Sequence, residues 1–282
     1  VPLGGDKPEV WVFDTVTAQV KKKLTGTTGR ALRSAFTPDG RLVTAHCFQM
    51  ETIVWDLDTG TPARVLPFYG DECVSVAVRP GGKQVAVGGT GGVLVYDLGG
   101  TGTEARALTL PGTIHGLAYS PTGGLLAAAA TDGRFVRVYD ADTGAEVRTL
   151  DTPDAGFGVA FAPDGRRLAA GGHRFLRVWD TGNWTEVLAR NDLPGAWVAF
   201  GPNPDVLWAG PWSVTDSNTS RPRRLDLRTG VVVELATPPS PYWPSFALSP
   251  DGKALFVADT NNGVWVCDPA TGEPKVVPQK AP

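Results

Sequence analysis

The chain has 282 residues, with 26 Lys and Arg against 29 Asp and Glu, a net charge of −3. That balance excludes a nucleic-acid binder working through bulk positive charge, and 42% hydrophobic against 20% charged residues excludes a disordered tail. Thirty-five glycines and 24 prolines suit a protein of many tight turns, and no run of 18 or more apolar residues offers a membrane-spanning helix.

The chain opens VPLGGDKPEVWVFD, which aligns with LAAGGHRFLRVWD further on. Val1–Leu3 then reads as the end of a second strand, Glu9–Phe13 as a third and Gln19–Leu24 as a fourth. Two markers recur from there to the end. An apolar–x–Pro–x–Gly-like signature places prolines at Pro38, Pro80, Pro121, Pro163, Pro202 and Pro250, at intervals of 42, 41, 42, 39 and 48. A second marker is Asp after an aromatic or apolar residue. It falls at Phe13-Asp14, Trp55-Asp56, Tyr96-Asp97, Tyr139-Asp140, Trp179-Asp180, Leu225-Asp226 and Cys267-Asp268, at intervals of 42, 41, 43, 40, 46 and 42. Two markers with one period and one phase establish an internal repeat.

Residues 157–188 show the pattern within a period: FGVAFAPDG, RRLAAGG, FLRVWD and TEVLAR are short alternating runs, each ended by turn residues. Four such runs make an antiparallel meander. In PDG, Pro pre-sets φ, Asp bonds back to the main chain and Gly supplies the left-handed position. The aspartates of Asp56–Gly60, Asp140–Gly144, Asp226–Gly230 and Asp268–Gly272 read the same way, as formers of turns rather than as catalysts or ligands. Three residues before each signature proline stands Ala35, Ala77, Ala118, Ala160, Ala199 or Ala247, which predicts a first strand placed where only a methyl group fits.

These residues resemble the WD-repeat β-propeller family: the SPDG-like turn, the WD pair kept at Trp55-Asp56 and Trp179-Asp180, the TG turn after it, and the period. The Ala/Gly-rich, Lys-poor style resembles bacterial members. The Gly-His dipeptide of the family is absent from every repeat, so the His–Asp–Ser/Thr–Trp network is expected to be incomplete. The resemblance and the marker count together imply an all-β, seven-bladed β-propeller of four-stranded antiparallel blades in one domain. Residues 1–30 form a partial first blade lacking its innermost strand, and residues 31–282 form six full ones. The start at Val1 rather than Met implies a processed or excised chain, with about a dozen upstream residues supplying the missing strand.

Three cysteines (Cys47, Cys73, Cys267) are too few and too scattered for a disulfide framework. With three histidines (His46, His115, His173), no zinc spacing appears. GGTGGV at Gly88–Val93 lacks the Lys-Ser/Thr and the helix of a phosphate loop. Asp259–Gly263 fits an Asn-Gly hairpin turn better than a calcium loop. No catalytic residue, metal or cofactor is therefore expected.

The loops entering the first strands and joining the second to the third carry residues that turn chemistry does not explain. They are Arg30, Arg33, Glu72, His115, Phe157, Trp197, Trp212, Tyr242 and Trp243, and aromatics and arginine dominate interaction hot spots. Trp208 reads as core. The long segment between Trp208 and Leu225, with Arg221, Arg223 and Arg224, reads as a surface insertion or an acidic-partner site. The leading expectation is a non-enzymatic, monomeric, cytoplasmic scaffold that binds a protein or peptide, with no nucleic acid or membrane. Its rivals are a lactonase-type propeller hydrolase using His115, Glu72 and Arg33, and a recruitment module of a larger protein.

Overall fold

The computed structural model describes residues 2–3, 9–15, 19–27, 29, 31–46, 50–68, 70, 73–211, 221–237, 245–259 and 263–276. Every regular element among them is a β-strand. β1 (Pro2–Leu3), β2 (Glu9–Phe13) and β3 (Val20–Leu24) form a three-stranded sheet. β4 (Ala31–Phe36), β5 (Leu42–His46), β6 (Glu51–Asp56) and β7 (Thr61–Pro67) form a four-stranded one. β8 (Cys73–Val78), β9 (Gln84–Asp97), β10 (Ala105–Tyr119), β11 (Leu125–Ala130), β12 (Phe135–Asp140) and β13 (Glu146–Asp151) pair in sequence order as one six-stranded sheet. Three more four-stranded sheets follow. The first is β14 (Gly158–Phe161), β15 (Arg167–Gly171), β16 (Leu176–Asp180) and β17 (Glu186–Arg190). The second is β18 (Trp197–Phe200), β19 (Val206–Gly210), β20 (Arg223–Asp226) and β21 (Val232–Glu234). The third is β22 (Ser245–Leu248), β23 (Leu255–Asp259), β24 (Gly263–Cys267) and β25 (Pro274–Val276). Among the described residues the strands of these sheets pair antiparallel with their sequence neighbours.

The expectation of seven separate leaves is corrected here: five sheets have four or more strands, and one has three. The difference lies in β9 and β10. β9 passes through Gly91 and Gly92, at φ 93° and 137°, and doubles back, so that the Leu98 amide donates to the Lys83 carbonyl at 2.7 Å. Its first half pairs with β8 and its second with the start of β10. β10 continues past Gly112 (φ 86°) and pairs its second half with β11. Left-handed glycines let these strands run on where other repeats break.

The turn aspartates behave as the sequence predicts. Oδ1 of Asp56, Asp140, Asp180, Asp226 and Asp268 each accepts the amides two and three residues on. Gly60, Gly144, Gly230 and Gly272 close four of these turns at φ 73–81°. Trp184 takes the same place at φ 60°, a conformation that an L-residue enters at a cost of about 1–2 kcal/mol. In the PDG turns, the glycine amides of Gly40, Gly165 and Gly252 donate back to residues 37, 162 and 249 at 2.8–2.9 Å.

The chain divides into two compact units. The first comprises Pro2–Val12 and Lys22–Phe157. Its sheets pack face to face through apolar seams. Val10 and Leu24 meet Ala31, Leu42, Ile53 and Trp55. Val43, Val54 and Leu66 meet Val85, Val87 and Tyr96. Ala86, Val93 and Leu108 meet Leu126, Ala128 and Tyr139. A basic side chain on the last strand of one repeat also clasps the Asp turn of the next. Lys22 Nζ donates to the Asp58 carbonyl at 2.7 Å, Arg64 to the Asp97 and Gly100 carbonyls at 2.9 and 2.8 Å, and Arg106 to the Ala141 carbonyl at 2.6 Å. These residues stand 42 apart in sequence, a column that the two chosen markers pass over.

The second unit comprises Phe13–Lys21 and Gly158–Pro282. Leu176 and Val178 meet Val198, Leu207 and Leu225, and Trp208 and Leu235 meet Phe246, Leu255 and Val257. First strands of neighbouring sheets lie against one another in both units: β4 with β8, β14 with β18, and β18 with β22. Ala160 packs on the same cluster as Phe200 of the following first strand. The exposure of the alanine column varies from buried Ala77 to exposed Ala247. Crowding common to all six is not found.

One polar network threads the first unit. Trp55 Nε1 donates to Thr44 Oγ1 at 2.7 Å. Thr44 Oγ1 lies 2.7 Å from His46 Nε2, and His46 Nδ1 lies 3.0 Å from the Gly29 carbonyl. All three side chains are fully buried. The carbonyl can only accept, so Nδ1 carries the proton, Nε2 accepts from the hydroxyl, and the ring is neutral. The expected incompleteness is thus met in part: a Trp–Thr–His chain forms, with its histidine drawn from β5.

Thr44→Val keeps the shape and strands two buried groups, so it should lower unfolding free energy by about 2–4 kcal/mol, while Thr44→Ser stays near wild type in urea titrations. Burial also holds His46 below the usual histidine range, against the pull of the Gly29 carbonyl and Glu51. The unfolded chain takes up its proton at about 6.5, and the folded one resists it. Stability is therefore full above that value and falls as pH drops. Urea midpoints should be lower at pH 5 than at pH 7, with a flatter slope in His46→Gln.

Candidate functional site

Three of the nine expected site residues come together in the first unit. A β-bulge shifts register between Ala31 and Arg33 in β4, and another between Ile114 and Gly116 in β10. Each leaves a residue off the ladder, where its side chain is re-aimed: Leu32 in β4, with Arg33 resuming the ladder opposite Ala45, and His115 in β10. The His115 ring meets Phe157 edge-on, with centroids 5.3 Å apart and planes at 62°, a favoured geometry for rings. Arg33 is near enough for its charge to act on His115.

The electrostatics of the group follow from burial. His115 is pushed down to about 4, first by desolvation and then by the Arg33 guanidinium, with Asp132 pulling the other way. The imidazole is neutral at pH 7. Arg33 is solvent-accessible, yet protein atoms crowd it enough for desolvation to lower its pKa. Its guanidinium remains charged in any case, and one Nη donates to the Leu32 carbonyl at 3.0 Å. Asp132 sits in the turn joining β11 to β12. Gly112 lets the chain approach it, since a Cβ there would lie 2.8 Å from the Asp132 Cβ.

Asp132, in the sequence Thr131-Asp132-Gly133, is not among the residues that the sequence singles out. The available signal is its place between second and third strands, the loop class that also holds His173. Together these residues offer one cation, one neutral imidazole, one carboxylate and an aromatic edge.

Trp197 lies elsewhere, in the second unit. It opens β18, and its ring stacks at a tilt on Phe246, with centroids 5.5 Å apart, as part of the seam between β18–β21 and β22–β25. Trp208 is core, as expected, and its Nε1 donates to the Pro269 carbonyl at 3.0 Å. Of the basic cluster, Arg223 pairs with Glu234 at 3.2 Å and Arg221 is exposed. Arg30, Glu72, Trp212, Tyr242 and Trp243 lie outside the described residues.

A recess of about 280 Å³ lined by Pro202, Val206, Trp208, Arg224 and Pro269 contains none of the expected site residues. Among the described residues no three His, Cys, Asp or Glu side chains gather closely enough to hold a metal ion, and no helix is long and apolar enough to cross a membrane.

No curated protein matches the chain. The family model described as WD domain, G-beta repeat matches residues 105–140 and 144–180. The first match runs from β10 to β12 within one sheet, and the second runs from β13 of that sheet to β16 of the next. Residues 105–180 thus carry two WD repeats, and these with the serial antiparallel meanders around them support a WD-repeat β-propeller.

Proposed function

We propose that this protein is a non-catalytic scaffold that binds a protein or peptide segment through Arg33, His115, Asp132 and Phe157. The observation that carries the reading is the association of these four at the bulged starts of β4 and β10 and in two loops of one compact unit. WD-repeat propellers generally serve as interaction scaffolds, and binding residues collect on loops held by such frameworks. Arg33 suits a carboxylate on the partner, and Phe157 suits an apolar side chain beside it. Neutral His115 donates or accepts one hydrogen bond. The partner class is a peptide with an acidic residue next to an apolar one.

We further count seven repeats. The doubling back of β9 and the run-on of β10 support reading β8–β13 as two four-stranded leaves that share strands.

An array of acidic–apolar peptides, followed by titration of the best binder, tests the site. Arg33→Ala and Phe157→Ala should each weaken binding at least tenfold at unchanged melting temperature. Equal affinity in both variants rejects it. Trp197→Ala should do the opposite, costing about 2–3 kcal/mol of stability with affinity unchanged in the folded fraction.

A further inference from the structure

The strands that lead into the turn aspartates share a column of one residue type. The residue two before the aspartate is Val12, Val54, Val95, Val138, Val178 or Val266, and in β20 alone it is Arg224. Five of these valines are buried and Val12 is half-buried. Arg224 therefore puts a cation where the other strands put an apolar side chain. It pairs across the ladder with Trp208, so the two share a face, and Trp208 packs toward β22–β25.

No described residue balances that charge. The Arg224 Nε is buried and has no hydrogen-bond partner among the described residues. Glu234, next to its ladder partner Val233, is held by Arg223 at 3.2 Å, and Oδ1 of Asp226 is taken up by its own turn. In the first unit Arg106 donates to the carbonyl just after a turn aspartate, that of Ala141. The corresponding carbonyl here, that of Pro269, accepts from Trp208 Nε1 instead. Arg224 is left beside Trp208, Pro202, Val206 and Pro269 in the recess of about 280 Å³. A cation against an apolar wall is costly unless an opposite charge meets it.

We propose that this recess binds a carboxylate carried on a small flat apolar body, an aryl-alkanoate in chemical class. The guanidinium takes the carboxylate through paired N–H donors, and Trp208 with Pro202 and Pro269 flanks the ring of the ligand. The volume lies just below the ~300–1,000 Å³ of ordinary small-molecule sites, which limits the body to about one ring. A free acid and the C-terminal phenylalanine of a peptide share this chemistry. The site lies wholly within the second unit. It uses none of the residues of the Arg33–Phe157 face, so either site can fail its test without the other.

The probes are 3-phenylpropionate and a short peptide ending in phenylalanine with a free carboxylate, each titrated by calorimetry beside its amide. Saturation by at least one acid at one per chain is expected, with its amide weaker by at least tenfold. An affinity at least tenfold higher for the peptide assigns the site to chain ends, and any smaller difference assigns it to free acids. Arg224→Val, which restores the residue of the column, should weaken binding at least tenfold and raise the urea midpoint of the ligand-free protein. Val206→Phe fills the recess and leaves the cation, and should weaken binding to the same extent at unchanged melting temperature. Absence of binding, equal binding of acid and amide, or undiminished affinity in either variant overturns the proposal. So does a urea midpoint that Arg224→Val leaves unchanged or lowers, which makes the arginine a structural part of the seam.

Discussion

A four-stranded sheet with strands of three to seven residues has two faces to cover, and this protein has no helix among its described residues to cover either. Each face must therefore be buried by the next sheet, and that single requirement orders the rest. It explains why strands such as β5 and β11 are almost wholly buried while outer strands such as β13 are mostly exposed. It also explains why the polar contacts between repeats fall at the rims. Lys22, Arg64 and Arg106 reach across to turn carbonyls, where charged groups keep access to water, and the seams stay apolar. The Thr44 network is the exception. Its three buried groups are tolerated because each polar atom has a partner.

Much of this was legible because turn chemistry is local. A Pro-Asp-Gly or an Asp followed by Thr-Gly dictates its own hydrogen bonds within four residues, and Asp140 and Gly144 make the bonds that their types predict. Strand alternation is local in the same sense. The sheet count was less legible because it depends on where a strand is taken to end. Gly91, Gly92 and Gly112 permit a bend without a break, and no composition rule separates the two outcomes. The alanine column was visible, but its cause was misplaced. Ala160 packs on a cluster that Phe200 of the next sheet also meets, whereas Ala247 is exposed. The histidine network was missed for a similar reason, because Thr44 and His46 are two residues apart on one face of β5, whereas the family pattern looks for histidine before the first strand.

The candidate site shows the same division. Arg33, His115 and Phe157 could be placed in entering loops from the repeat phase alone. Their convergence could not, because it depends on a bulge in β10 that turns His115 from the ladder and on another at Leu32 that shifts the register just before Arg33. His115 illustrates the consequence. On a regular strand its neighbours would be set by alternation. Off the ladder, it meets Phe157 and feels Arg33 and Asp132, and its charge is suppressed at neutral pH. Trp197 is the converse case. Loop-proximal aromatics read equally well as anchors or as core, and Phe246 decides for core.

The proposed binding face follows from a departure from the repeat. Where a strand is regular, alternation fixes which side chains meet the neighbouring sheet. At β10 the departure is an inserted residue, His115, which leaves the ladder and meets Phe157. A departure of this kind adds chemistry to a framework whose seams are already closed, and so its residues can be exchanged with little effect on folding.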